Sequence, residues 1–166
     1  MGEFKISNGV NASENLRLKL PKWLLYELMR PVPRDILENG SGKGAAGLRM
    51  QLCRSQDMHI QNNSYPIYVE KGDTLRFRYM RFRIETAHSK IGWPLSPLLK
   101  VAMDMLDWEL DSGCIFEQAM QPGDMVFSNN MLIAHARNSF FDADDKPPRH
   151  KVRAWLQIQK ANLGAN

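Results

Sequence analysis

Gly123-Asp-Met-Val-Phe-Ser-Asn-Asn130, then His135-Ala-Arg137, then Arg149-His-Lys-Val-Arg-Ala-Trp155 is the stretch whose reading decides the fold. Gln121-Pro-Gly-Asp124 carries the residue types of a tight turn, and Met131–Ala136 is a short strand whose apolar run Met131–Ala134 leads into His135. Lys151–Ile158 reads as a returning strand, and with the two residues leading into it Arg149 and Arg153, four residues apart, share one side while His150, Val152 and Ala154 take the other. An imidazole at the end of a strand can ligate a metal, and a guanidinium in a walled pocket can hold a carboxylate by two parallel charged hydrogen bonds. The two together suggest one half of a metal site with an anchor for a dicarboxylic acid. Each also has a plainer reading. A lone strand histidine is ordinarily a satisfied structural residue, and the arginines have Asp142, Asp144 and Asp145 nearby in sequence as ion-pair partners.

Working outward, Ile115–Met120 and Met125–Phe127 read as further strands of a β-rich C-terminal half. Before them Ser96 with Pro97 opens a helix, and Leu98, Leu99, Ala102, Met105, Leu106 and Glu109 follow at helical spacing to about Leu110. Thr74–Ile84 alternates as a strand through Leu75, Phe77 and Tyr79. Its apolar side then changes parity at Phe82 and Ile84, which predicts a bulge or a strand end near Met80. Lys71-Gly72-Asp73 is a turn joining it to a strand over Pro66–Glu70, and Leu48–Cys53 is a third strand candidate. Asn11–Arg30 reads as mainly helical, stopped by Pro31 and Pro33, and Asn39–Gly47 has the composition of a flexible loop.

The 166 residues are 43% apolar, enough for one globular domain, and no internal boundary or repeat divides them. A net charge of +4 is spread along the chain without a basic run, which argues against nucleic acid as a partner. Cys53 and Cys114 make neither a zinc pattern nor a disulfide framework. Together with the absence of a leader-like N-terminus or an apolar run of ~20 residues, this predicts a cytoplasmic protein without membrane contact. Gly40-Ser-Gly-Lys-Gly44 has the flavour of a phosphate loop, but Leu37 stands where its first glycine belongs and Gly44 where magnesium needs a hydroxyl.

The order Gly-Asp-Met-Val-Phe-Ser-Asn-Asn, His-Ala-Arg, Phe-Phe-Asp, Arg-His-Lys-Val-Arg-Ala-Trp-Leu resembles the C-terminal signature of the TauD/TfdA family of iron(II)/2-oxoglutarate-dependent oxygenases. The similarity is clear over about Tyr65–Gln159. The resemblance implies an α+β, β-rich fold, part of a double-stranded β-helix (jelly roll) with flanking helices. It also implies an oxidoreductase that couples decarboxylation of 2-oxoglutarate to hydroxylation of a small organic substrate. By motif match His135 corresponds to the distant iron ligand and Arg149 to the arginine on the remote carboxylate of 2-oxoglutarate. Arg153 corresponds to a neighbouring arginine facing 2-oxoglutarate or substrate, and no further catalytic residue is assigned.

The chain departs from the pattern at one point. The family's other two iron ligands come from a His-X-Asp or His-X-Glu pair, yet His59 is followed by Ile60-Gln61 and His88 by Ser89-Lys90. Gly2-Glu3 resembles a dipeptide found shortly after that pair. Residues 1–166 are therefore expected to be a single domain of this type lacking its N-terminal portion, prone to self-association through unpaired sheet edges. The alternative is a catalytically inactive fragment or pseudoenzyme that keeps a 2-oxoglutarate or carboxylate pocket. A β-rich interaction protein with no small-molecule site is the third reading.

Overall fold

A computed structural model describes residues 3–35, 60, 62–113, 116–137, 152, 154 and 156. The predicted loop at 39–47 and the strand at 48–53 lie outside these residues. The described chain mixes helices with three small antiparallel sheets, in keeping with an α+β class, and closes no barrel among the described residues.

The chain begins with a strand absent from the sequence reading, β1 (Phe4–Asn8), whose alternation of Phe4 and Ile6 with Lys5 and Ser7 gives it two unlike faces. Asn8 then starts a helix. Its Oδ1 accepts from the backbone N–H groups of Val10 and Asn11 at 2.9 and 3.3 Å, satisfying donors that the first turn cannot. The single helical region expected up to Arg30 is two helices, α1 (Gly9–Lys19) and α2 (Lys22–Met29). Leu20 is forced extended (φ −111°, ψ 146°) because it precedes Pro21, whose ring bars the helical conformation there. Pro31 and Pro33 stop α2 as expected, and β2 (Val32–Pro33) pairs with β3 (Ser64–Tyr65).

The turn Lys71-Gly72-Asp73 joins β4 (Tyr68–Lys71) to β5 (Thr74–Phe77) in a hairpin with Lys71 opposite Thr74, and Gly72 takes φ +57°. The strand expected to run on to Ile84 ends at Phe77. Arg81 begins α3 (Arg81–Ile91), which buries Ile84 and Ala87 and stops at Gly92 in the left-handed conformation, φ +69°. The parity change at Phe82 thus marks the passage from a two-residue to a 3.6-residue period: of the two alternatives near Met80 the structure has the strand end and not the bulge.

Helix α4 (Pro97–Ser112) forms where the sequence placed it. It buries Leu99, Ala102, Met103, Leu106, Glu109 and Leu110, whereas Leu98, read as part of the packing stripe, is exposed. Its inner face joins Leu16, Leu24, Leu28, Ile67, Tyr68, Phe77 and Ile84 in one core.

Beyond α4, β6 (Phe116–Gln118) and β7 (Ile133–Arg137) flank β1 in the sheet order β6-β1-β7. The Gln121–Asp124 turn is present, with Gly123 at φ +96°. The strand expected at Met125–Phe127 does not form: Met125 and Phe127 are 80% and 78% exposed and no ladder reaches them. Of the strand expected at Lys151–Ile158 only Val152, Ala154 and Leu156 are described, and they are exposed and outside any strand. No helix among the described residues is long and apolar enough to cross a membrane.

Candidate functional site

His135 lies in the middle of β7, held by the ladder to β1 in which Ile6 faces His135 and Ser7 faces Ala134. Directly opposed residues of antiparallel strands project from the same face, and neighbours along a strand alternate. One face of the sheet therefore carries Ser7 and Ala134. This face looks toward α4, because the Ser7 hydroxyl donates to the Leu110 carbonyl oxygen at 2.6 Å and Ala134 packs against the core. The opposite face carries Phe4, Ile6, Phe116, Gln118 and His135.

On that second face the His135 ring lies 5.9 Å, centroid to centroid, from the Phe4 ring with an interplanar angle of 30°. His135 is exposed, and Phe116, two strands away across Ile6, is 44% exposed. This face carries aromatic and aliphatic groups together with Gln118, and the charged pair Lys5–Glu117 (3.1 Å) lies on the other face. Among the described residues, those that the registers put on this face include no Asp, Glu or second His. Among the described residues no group of three His, Cys, Asp or Glu side chains is gathered anywhere.

The other predicted site residues, Arg149 and Arg153, lie outside the described residues. Arg137 belongs to β7, opposite Phe4. Asn129 acts in a turn, as its sequence context suggests: its Oδ1 accepts from the Met131 N–H at 3.1 Å and its carbonyl from Leu132 N–H at 3.0 Å. An open groove beside Glu85, His88, Trp93 and Leu95 shares no residue with the His135 sheet.

A buried arginine that sequence reasoning did not single out is Arg34. It is 4% exposed, and its Nη2 donates to the carbonyl oxygens of Pro66 and Tyr65 at 3.0 and 3.3 Å. Burial, helped by the positive charge of Arg78, lowers its pKa to about 10. Its acceptors are backbone carbonyls tying β2 to the start of β4, so it is a brace of the fold. Only the Pro31-Val-Pro33 context, which carries no signal for burial, preceded it in the sequence.

The family model for the taurine catabolism dioxygenase TauD, TfdA family matches residues 7–155. The chain belongs to the TauD/TfdA family. The matched region runs from Ser7, near the end of β1, through the signature as far as Trp155, and so includes His135, Arg149 and Arg153. No curated protein matches the chain. Membership makes this a dioxygenase-type domain at the level of the family. The iron centre normal to the TauD/TfdA family needs three protein ligands with open positions. On the His135 face the described residues supply one imidazole, and the 166-residue sequence contains no His-X-Asp or His-X-Glu. The donor set at hand does not complete that centre.

Proposed function

We propose that this chain is the part of an iron(II)/2-oxoglutarate-dependent dioxygenase domain that grips the co-substrate, within an oxidoreductase acting on a small organic molecule. Arg149 pairs in bidentate fashion with the remote carboxylate of 2-oxoglutarate. Arg153 lies beside it, toward co-substrate or substrate, and His135 offers one metal-binding nitrogen. The β6-β1-β7 sheet is then a piece of the jelly roll, with the Phe4, Ile6 and His135 face turned inward and α4 packed outside. The observation that carries this reading is the family match through residue 155, which takes in all three residues. The placement of His135 on the sheet face away from α4 supports it.

A second reading is favoured by the incomplete donor set: the chain keeps the carboxylate pocket and turns nothing over. The two separate experimentally. Titration calorimetry with 2-oxoglutarate, with and without manganese(II) as an unreactive stand-in for iron, measures the pocket. Succinate release with iron(II), ascorbate and oxygen measures turnover. Under either reading Arg149→Lys keeps the charge but loses the planar fork, and 2-oxoglutarate binding weakens about tenfold, equivalent to one lost charge-assisted hydrogen bond. His135→Ala removes the metal-dependent increment of binding and leaves the metal-free part unchanged. Succinate release refutes the inactive reading. Absence of any heat with 2-oxoglutarate refutes both and leaves a β-rich interaction protein.

A further inference from the structure

Arg34 holds more donors than the fold uses. Its two hydrogen bonds both leave from Nη2, to the carbonyl oxygens of Tyr65 and Pro66, while its Nε is buried with no partner. A guanidinium has five N–H donors and accepts nothing, so Nε and Nη1 are without an acceptor among the described residues. The side chain cannot turn outward to find one. The residue is 4% exposed and its backbone is pinned by Asn63: its N–H donates to the Asn63 carbonyl at 3.1 Å, and its carbonyl accepts from Asn63 Nδ2 at 2.7 Å.

Its charge is not offset either. Both acceptors are neutral carbonyls, and the carboxylate next to it in sequence, Asp35, is taken by Lys90 at 2.8 Å. The charged group that stands beside it is a second cation. The Arg78 guanidinium lies 4.8 Å from the centroid of the Tyr65 ring, so one tyrosine holds both arginines, Arg34 by its carbonyl and Arg78 by its ring. Arg78 is exposed and makes no ion pair among the described residues. Burial first, and then the Arg78 charge, disfavour the protonated form of Arg34. Bracing the fold accounts for Nη2 and for nothing else on this group. Two guanidinium groups gathered without a carboxylate, one of them buried, cost stability until an anion joins them.

We infer that Arg34 and Arg78 form a binding site for a small oxyanion, a carboxylate or phosphate group that accepts from the unused donors of Arg34 and pairs with Arg78 at the rim. The planar fork of arginine matches the paired oxygens of either group. The site stands just after β2 and β5, shares no residue with the β6-β1-β7 sheet, and does not depend on the reading given to His135, Arg149 and Arg153.

Thermal melting of the full chain with inorganic phosphate and with acetate, each beside sodium chloride at equal ionic strength, tests it. The expected result is a rise in melting temperature that saturates with one of the two anions and not with chloride, the more effective anion naming the ligand class. Arg78→Gln, at an exposed position, should leave the circular dichroism unchanged and raise the dissociation constant of that anion about tenfold, the loss of one charge-assisted hydrogen bond. Arg149→Lys should leave the response intact, which separates this site from the co-substrate pocket. Because Arg34 also braces the fold, its part is read in the native chain: its Nε–H signal in proton–nitrogen correlation spectra, identified from the backbone assignment, should shift as the anion is added. Melting that follows ionic strength alone, a response unchanged in Arg78→Gln, one lost in Arg149→Lys, or an Arg34 signal that stays in place each overturns the inference.

Discussion

Gly9 shows how much of this molecule depends on one missing methyl group. It is the first residue of α1, its N–H donates to the Leu132 carbonyl at 2.8 Å, and its own carbonyl accepts from the Tyr68 hydroxyl at 2.9 Å. The strand end, the helix start and the hairpin thus meet at its backbone, with the Phe77 ring closing over it: a Cβ at Gly9 would lie 2.3 Å from Phe77 Cδ1. Phe77 is 1% exposed and cannot swing away into solvent. Gly9→Ala is therefore expected to destabilise the fold by about 1–3 kcal/mol, the usual range for forcing an extra carbon into a packed site. A lower urea midpoint at unchanged slope would register it, and an unchanged midpoint would mean that the ring and backbone are not in this contact. Nothing in the sequence marks Gly9, because its role is set by a ring sixty-eight positions away. Gly72, by contrast, sits in a turn that its local residues do announce.

At the scale of elements, the sequence was most legible where its period was long and unbroken. Helix α4, with Ser96-Pro97 ahead of it and four turns of apolar recurrence, formed as read, and so did the Gly72 and Gly123 turns. It was least legible across Tyr79–Ile84, where a strand runs into α3 without a glycine or proline between them. What fixes α3 is tertiary: Arg81, in its first turn, bonds Glu85 on the same helix and reaches Asp104 and Asp107 on α4, all at 2.6–2.7 Å. Hydrogen bonds from Lys100 and then Arg81 hold the Asp104 carboxyl below its ordinary range. A depressed folded-state pKa means a contribution present at pH values above the unfolded value, about 4, and lost as pH falls through the lower folded value. Arg81→Gln is expected to cost about 1 kcal/mol or less near neutral pH, since these groups are partly solvated, and to remove part of the fall in melting temperature between neutral and acid pH. Melting curves from pH 6 down to 2.5 check both, and parallel pH profiles for the two proteins would deny the α3–α4 link its role. The apolar Met125-Val-Phe127 misled in the other direction: it has strand composition, but no neighbouring strand among the described residues takes it up.

For the whole molecule the decisive feature is that β1 is the central strand of the sheet that carries His135. Its neighbours β6 and β7 come from the far side of α4, so Ile6 faces both Phe116 and His135. Order among strands so distant in sequence is written in no local pattern, which is why the signature around His135 could be read while its setting could not. The Phe4-Lys-Ile-Ser-Asn8 segment is too short and polar to declare itself as the middle of a sheet. The arrangement makes a sharp prediction. Proline at position 6 removes a ladder N–H, and its ring collides with the pleat in a strand that has no free edge. A partner carbonyl left without its donor costs about 1–3 kcal/mol before the steric term is added. Ile6→Pro should therefore abolish a single cooperative unfolding transition and, with it, the metal-dependent response to 2-oxoglutarate, because β7 loses the strand that orients His135. Ile6→Val, which keeps the backbone, should lose about 1 kcal/mol and retain both. Chemical denaturation of the two variants beside calorimetry with manganese(II) and 2-oxoglutarate separates the outcomes. A cooperative, ligand-responsive Ile6→Pro protein would mean that the sheet around His135 stands without its central strand, and the inward face proposed for it would have to be drawn differently.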